Sequence, residues 1–250
     1  MGESDGVSLD WVCCQASGNE RRPVPILLLT ALLLFPGSAL ASDPDGVTEQ
    51  RNPDGSRLRL TEQIDRAGDR RVFRIEASSS ASAPYTTLLQ RSQLLSDYPR
   101  GGGRLEDMDG DGQLEFVERL SCGAGPNCQY RIFKLIPAQQ RAYQLFEGGF
   151  FLFRPIAGRL VTSSRSSCCS WTHQIYRTPV TPHGITEQDL LYSLELKAPI
   201  DGASTPVCRI SRPRGKGWEQ ATIRNPELLK LCEGYGKNVV INPAQQSDER

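Results

Sequence analysis

Histidine and methionine are scarce in this chain, and neither sign of charge is in excess. Two His and two Met occur in 250 residues, and 29 Lys and Arg balance 29 Asp and Glu. Without a basic excess there is nothing to neutralise nucleic-acid phosphates, so no nucleic-acid partner is expected. With imidazole confined to His173 and His183, a histidine-rich metal site is excluded. No G-x-S-x-G elbow, phosphate loop or His-Glu-x-x-His motif is present. Long helix-forming stretches are missing, while Gly and Pro number 23 and 17 and tilt the composition toward β structure. An apolar run able to span a bilayer is missing too. The longest, residues 26–35 (ILLLTALLLF), falls well short of the roughly 20 residues a span needs.

That short run has another use. Arg21 and Arg22 precede it, and Gly37-Ser38-Ala39-Leu40-Ala41 follows with small residues where a signal peptidase reads. Pro23, Pro25 and Pro36 hem it in, which argues against a retained anchor. Ser42 stands where a lipoprotein would need Cys, and the arginine pair lacks the rest of a Tat-type motif. Residues 1–41 are therefore expected to be a signal peptide with a polar N-terminal extension, cleaved after Ala41. No membrane span remains after cleavage, and the product is periplasmic or secreted. Cleavage removes two of the 29 cationic and four of the 29 acidic residues, leaving a chain near +2.

Cleavage also discards Cys13 and Cys14, leaving Cys122, Cys128, Cys168, Cys169, Cys208 and Cys232. An even number in an exported chain implies disulfides. Spacing suggests Cys122 with Cys128, Cys208 with Cys232, and Cys168 with Cys169 left over. A bridge between neighbours forces a strained ring, so cross-pairing with the Cys122/Cys128 loop is the rival. Six cysteines allow 15 connectivities.

Residues 42–56 are turn-rich and expected to be loosely held, and residues 98–103 (YPRGGG) to break regular structure. Strand-like runs recur at 57–64, 70–77, 85–95, 114–120, 129–136, 141–147, 149–153, 158–163, 171–177 and 190–196. Turn chemistry separates them at 65–69, 137–140, 147–149 and 181–184. Such spacing leaves little room for crossover helices and implies an antiparallel sandwich, barrel or propeller-like meander. Only residues 225–233 (NPELLKLCE) read as a helix, with Asn225 as cap, Pro226 at its first position and Gly234 as stop. The domain is expected to run over 42–242, with a disulfide-tied segment at 199–242 and a frayed tail at 243–250.

The sharpest local chemistry lies at residues 107–118 (DMDGDGQLEFVE). Carboxylates at Asp107, Asp109 and Asp111 can curl around one Ca²⁺, Gly112 permits the turn, and the Gln113 carbonyl falls at the seventh position. Glu118 falls at the twelfth, where an EF-hand has its bidentate Glu. Pro99 and three consecutive Gly forbid an entering helix, and residues 114–120 alternate like a strand. In a strand Glu115 and Glu118 point to opposite faces, so only one reaches the ion, and Glu115 is nearer. The expected ligands are Asp107, Asp109, Asp111, the Gln113 carbonyl and Glu115; the plain alternative is a solvated acidic turn. The ion is expected to brace the fold, and chelation to lower the melting temperature.

Elsewhere the chemistry is sparse. His173 follows Cys168-Cys169-Ser170-Trp171-Thr172, a pattern compatible with zinc or thiol chemistry, but export and the even cysteine count favour disulfides. His183 lies in a Pro-His-Gly turn and reads as a surface residue. Scattered carboxylates leave a glycosidase pair open without supporting one. Residues 143–153 (YQLFEGGFFLF) read as core strand rather than binding platform. Residues 209–218 (RISRPRGKGW) read as an exposed cationic loop, either solvated or docking an anionic partner.

Three pieces in order carry a resemblance: Asp107-Met108-Asp109-Gly110-Asp111-Gly112-Gln113-Leu114-Glu115, then Cys122-Gly123-Ala124-Gly125-Pro126-Asn127-Cys128, then Tyr130-Arg131-Ile132-Phe133-Lys134-Leu135. With the stretch from Ser164-Arg165 to Tyr176-Arg177, they resemble bacterial periplasmic proteins with an FG-GAP-like calcium loop. The likeness spans residues 105–196, under half of the mature chain. It implies an incomplete β-propeller-like fold and calcium ligands at Asp107, Asp109, Asp111 and Glu115, the last replacing a more usual Asp. Some members inhibit c-type lysozymes, which makes such a lysozyme the partner the resemblance names; residues 199–250 have no counterpart in it. The expected protein is therefore all-β and antiparallel, incomplete β-propeller-like or sandwich, with one short C-terminal helix. It is expected to be non-enzymatic, to be braced by structural Ca²⁺ and to bind another protein. A cell-envelope hydrolase or a structural envelope component is the alternative. A deep cleft with two carboxylates apart from the loop would favour the hydrolase, and a rigid protruding loop would favour inhibition.

Overall fold

The computed structural model describes residues 46–80, 82–95, 102–123, 126–167, 169–178, 183–198 and 205–243, all within the unit Ser42–Arg250. The signal-peptide assignment therefore lies outside the described residues, as do Cys168 and most of the tail. The fold is all-β, with three sheets built as meanders whose strands pair in chain order. The first holds β1 (Gly46–Arg51), β2 (Arg57–Asp65), β3 (Arg70–Ser78) and β4 (Thr86–Leu94). The second holds β5 (Gly102–Glu106), β6 (Glu115–Cys122), β7 (Cys128–Ile136) and β8 (Arg141–Phe150). The third runs through β9 (Leu152–Ile156), β10 (Arg159–Ser167), β11 (Ser170–Arg177), β12 (Leu190–Lys197), β13 (Val207–Arg214) and β14 (Gly217–Gln220). All of these pairs are antiparallel, and a short β15 (Val240–Ile241) lies parallel to β13.

Alternation along the strands stacks the sheets in sandwich fashion. Neighbouring residues on a strand point to opposite faces. On β6, Phe116 faces Leu58, Leu60, Phe73 and Ile75 of the first sheet, while Val117 packs with Leu145, Phe153 and Leu160 on the side of the third. The rings of Phe73 and Phe116 lie 5.3 Å apart. On β10 the same alternation turns Leu160 toward the second sheet and Val161 toward the C-terminal segment. There α1 (Pro226–Leu229), extended by a 3-10 turn at Lys230–Glu233, buries Leu228 and Leu231 against the third sheet. Asn225 caps the helix by accepting from the Glu227 and Leu228 N–H groups. Disulfides join Cys122 to Cys128 and Cys208 to Cys232, the two pairs that spacing suggests.

Four expectations need correction. Residues 42–56 are not wholly loose: Gly46–Arg51 is a strand, and Asn52 beyond it is buried. Gly102 and Gly103 do not break structure but open β5. A Cβ at Gly103 would stand 2.6 Å from the Phe116 ring and 2.9 Å from Phe73, so glycine there admits the aromatic contact between sheets. Glu147-Gly148-Gly149 is not a turn but part of β8, paired with Arg131, Tyr130 and Gln129. Residues 209–218 are not an irregular loop but most of the β13–β14 hairpin, closed by Gly215 and Lys216. Residues 143–153 are largely core, as expected, with Leu145, Phe146, Phe150 and Phe153 buried.

Candidate functional site

Two places concentrate functional chemistry: the acidic loop between β5 and β6, and a groove beside the β13–β14 hairpin. The loop folds around its own carboxylates. Asp107 accepts from the Gly110 and Gly112 N–H groups at 2.8 and 3.0 Å. Asp109 accepts from Asp111 N–H at 3.3 Å, and Asp111 from Gln113 N–H at 2.8 Å. Gly112 takes φ +84°, the left-handed turn required at that position. Met108 is buried between the second and third sheets, and its N–H donates to Glu115 Oε2 at 2.7 Å. From the first sheet, Asn52 Oδ1 accepts from Leu114 N–H at 3.0 Å, tying the loop's exit to the turn after β1.

Asp107, Asp109 and Glu115 each offer a carboxylate oxygen, all within 4.8 Å of one another. The donor set suits a hard, oxygen-seeking cation. Glu115 is fully buried. Strand β7 then brings in a residue that the loop register does not reveal. Lys134 Nζ lies 2.8 Å from Asp109 Oδ2, 2.7 Å from Asp111 Oδ2 and 2.7 Å from Glu115 Oε1. Burial pushes the Glu115 carboxyl up to about 7, against the pull of Lys134, and it raises Asp109 as well. Burial also works against the Lys134 charge, but Asp109, Asp111 and Glu115 outweigh it and push its pKa up, so the ammonium stays charged. Glu118 takes no part in the cluster. On the opposite face of β6 its Oε2 lies 3.5 Å from Arg91 and 3.8 Å from Arg131, as strand alternation requires.

The groove, of about 1060 Å³, is lined by Phe146 and Glu147 of β8, Tyr176 of β11, Glu187, and Lys216 and Trp218 of the hairpin, among others. Trp218 is 55% exposed, the most exposed large apolar side chain among the described residues. Glu219 takes Arg212 and Arg214 at 2.5 and 2.7 Å, so one carboxylate pairs with two of the hairpin's three arginines. Glu147 and Glu187 share the groove, but Arg131 grips Glu147 through two hydrogen bonds of 2.8 and 3.2 Å. That grip holds the Glu147 carboxyl below its ordinary range, the reverse of what a general acid needs.

His173 is buried, with Nδ1 2.8 Å from Ser163 Oγ. Burial pushes it down to about 4, so it is neutral and a weak base. His183 is exposed. Among the described residues, no other group of three His, Cys, Asp or Glu side chains converges as the loop's does.

No family model matches the sequence, and no curated protein matches it. One solved structure, described as "Structure of a Xanthomonas Type IV Secretion System related protein", is similar at 14% identity and a TM-score of 0.45. The match covers 72% of this chain and 95% of that one, and a likeness so distant decides nothing about what this chain does.

Proposed function

We propose that this chain is an exported, non-enzymatic β protein that binds another protein, with a c-type lysozyme the partner named by the sequence resemblance. The observation that carries the proposal is Trp218, a large aromatic exposed on a two-stranded hairpin above a groove of mixed polarity. Side chains of this kind anchor protein interfaces when a partner desolvates them. The hairpin is tied to the body through the rest of β13, whose Cys208 is bonded to Cys232. The two disulfides among the described residues suit an oxidising compartment, which supports a periplasmic or secreted location. The acidic loop serves as a brace, and Ca²⁺ is the ion its donors would take: Asp107, Asp109, Asp111 and Glu115, with the Gln113 carbonyl. The ion would supply charge neutralisation that draws the loop together. A cell-envelope hydrolase is disfavoured by the engagement of Glu147 with Arg131.

The exported, oxidised protein is expected to slow the clearing of a cell-wall suspension by c-type lysozyme in calcium-containing buffer, in proportion to its concentration. Unchanged clearing at large molar excess would remove lysozyme as the partner. Clearing by the protein on its own would replace the binding proposal with hydrolysis.

A further inference from the structure

The acidic loop already holds a cation of its own. Resting on the calcium reading of this loop, we infer that Lys134 is a built-in competitor of the metal: its ammonium closes the loop when calcium is absent, and calcium must displace it to bind. Lys134 Nζ contacts Asp109, Asp111 and Glu115 at 2.7–2.8 Å, one oxygen from each of three expected ligands. Calcium would draw the same oxygens to 2.3–2.6 Å of its own centre. One set of oxygens cannot converge on both cations, and two positive centres a few ångströms apart repel strongly in a half-buried site.

Lys134 is placed to stay where it is. It lies on the interior strand β7, opposite Tyr143 of β8, and its side chain is 11% exposed. Its stem keeps the ammonium over Glu115, which is fully buried and has Met108 N–H as its other partner. Without Lys134, that carboxylate and Asp109 would face each other with no counter-charge among the described contacts. An EF-hand-like loop without such a lysine gathers several carboxylates that repel until the metal arrives. Here the loop is closed beforehand, at the expense of metal affinity. The exported protein then folds in calcium-poor surroundings and takes up the ion only where it is plentiful.

The test compares the full chain, expressed for export and recovered oxidised, with its Lys134→Met and Lys134→Gln variants. Met preserves the alkyl stem and Gln preserves polarity, so one serves if the other misfolds, with far-ultraviolet circular dichroism as the check. Calcium affinity is measured by titration calorimetry and thermal melting is followed in chelator. Both variants are expected to bind calcium at least tenfold more tightly than the parent and to melt lower than it in chelator, with calcium restoring the loss. Equal calcium affinity in all three proteins would overturn the inference and leave the calcium reading standing. Calcium binding by none of them would overturn both. Variants that melt like the parent in chelator would overturn the bracing role of Lys134.

Discussion

Asn52 joins the turn after β1 to the acidic loop: its Nδ2 donates to Ser56 Oγ at 3.0 Å, and its Oδ1 accepts from Leu114 N–H. Both bonds are shielded, with Asn52 only 2% exposed. Asn52→Ala leaves a partly buried N–H without its acceptor, which costs about 1–3 kcal/mol. Urea unfolding should show a lower midpoint at unchanged slope. His173 acts at the same scale through pH. Its folded pKa, about 4, lies below the unfolded value of 6.5, so the unfolded chain takes up the proton first as pH falls. Stability is therefore lost as pH drops from 6.5 toward 4. Glu115, raised to about 7, has the opposite sign and loses stability as pH rises from 4.5 toward 7. A difference measurement separates the two groups. Relative to His173→Gln, the parent should lose about 2 kcal/mol between pH 7 and pH 5 by chemical denaturation.

At the scale of elements, the contacts between sheets and the disulfides set the order of sensitivity. Gly103→Ala drives a methyl group into the Phe116 and Phe73 rings and should destabilise by about 1–3 kcal/mol, read as a lower melting temperature. The Cys208–Cys232 bridge closes 24 residues of chain and the Cys122–Cys128 bridge only six. Loop entropy alone puts the first at about 3 kcal/mol and the second lower. Cys208 and Cys232 are also buried in the core under α1, whereas Cys122 is exposed. Replacing both cysteines of the C-terminal pair with Ala should therefore lower the urea midpoint more than replacing both of the other pair. The elements most readable in the sequence were those with clear alternation, such as β2 and β3, and the capped helix at Asn225. Glycines misled, because Gly103 meets a steric demand of the Phe116 and Phe73 rings, and Gly148 and Gly149 are paired strand positions rather than turns. The Phe116 and Phe73 rings that demand Gly103 approach it only once the strands are paired and the sheets packed.

Across the whole molecule, local spacing exposed the acidic loop and hid what completes it. Asp107, Asp109, Asp111 and Glu115 lie within nine residues, so their grouping was visible along the chain. Lys134 reaches them across the β6–β7 pair and Asn52 from the first sheet, and neither distance in sequence signals contact in space. The alternation argument separating Glu115 from Glu118 carried over, because it rests on strand geometry alone. The hairpin bearing Trp218 was legible as an exposed basic segment but not as a strand pair. Its arginines looked available for an anionic partner, and Glu219, just past the segment, pairs with two of the three, Arg212 and Arg214. Beside these paired arginines stands the Trp218 ring, above the groove that Lys216 also lines. The most direct measurement is the affinity of c-type lysozyme for the oxidised protein and its Trp218→Ala variant, by surface plasmon resonance in calcium. The expected result is saturable binding by the parent and a loss of at least about 2 kcal/mol, roughly thirtyfold, in the variant. Equal affinity of the two proteins, or no binding by the parent, would contradict it.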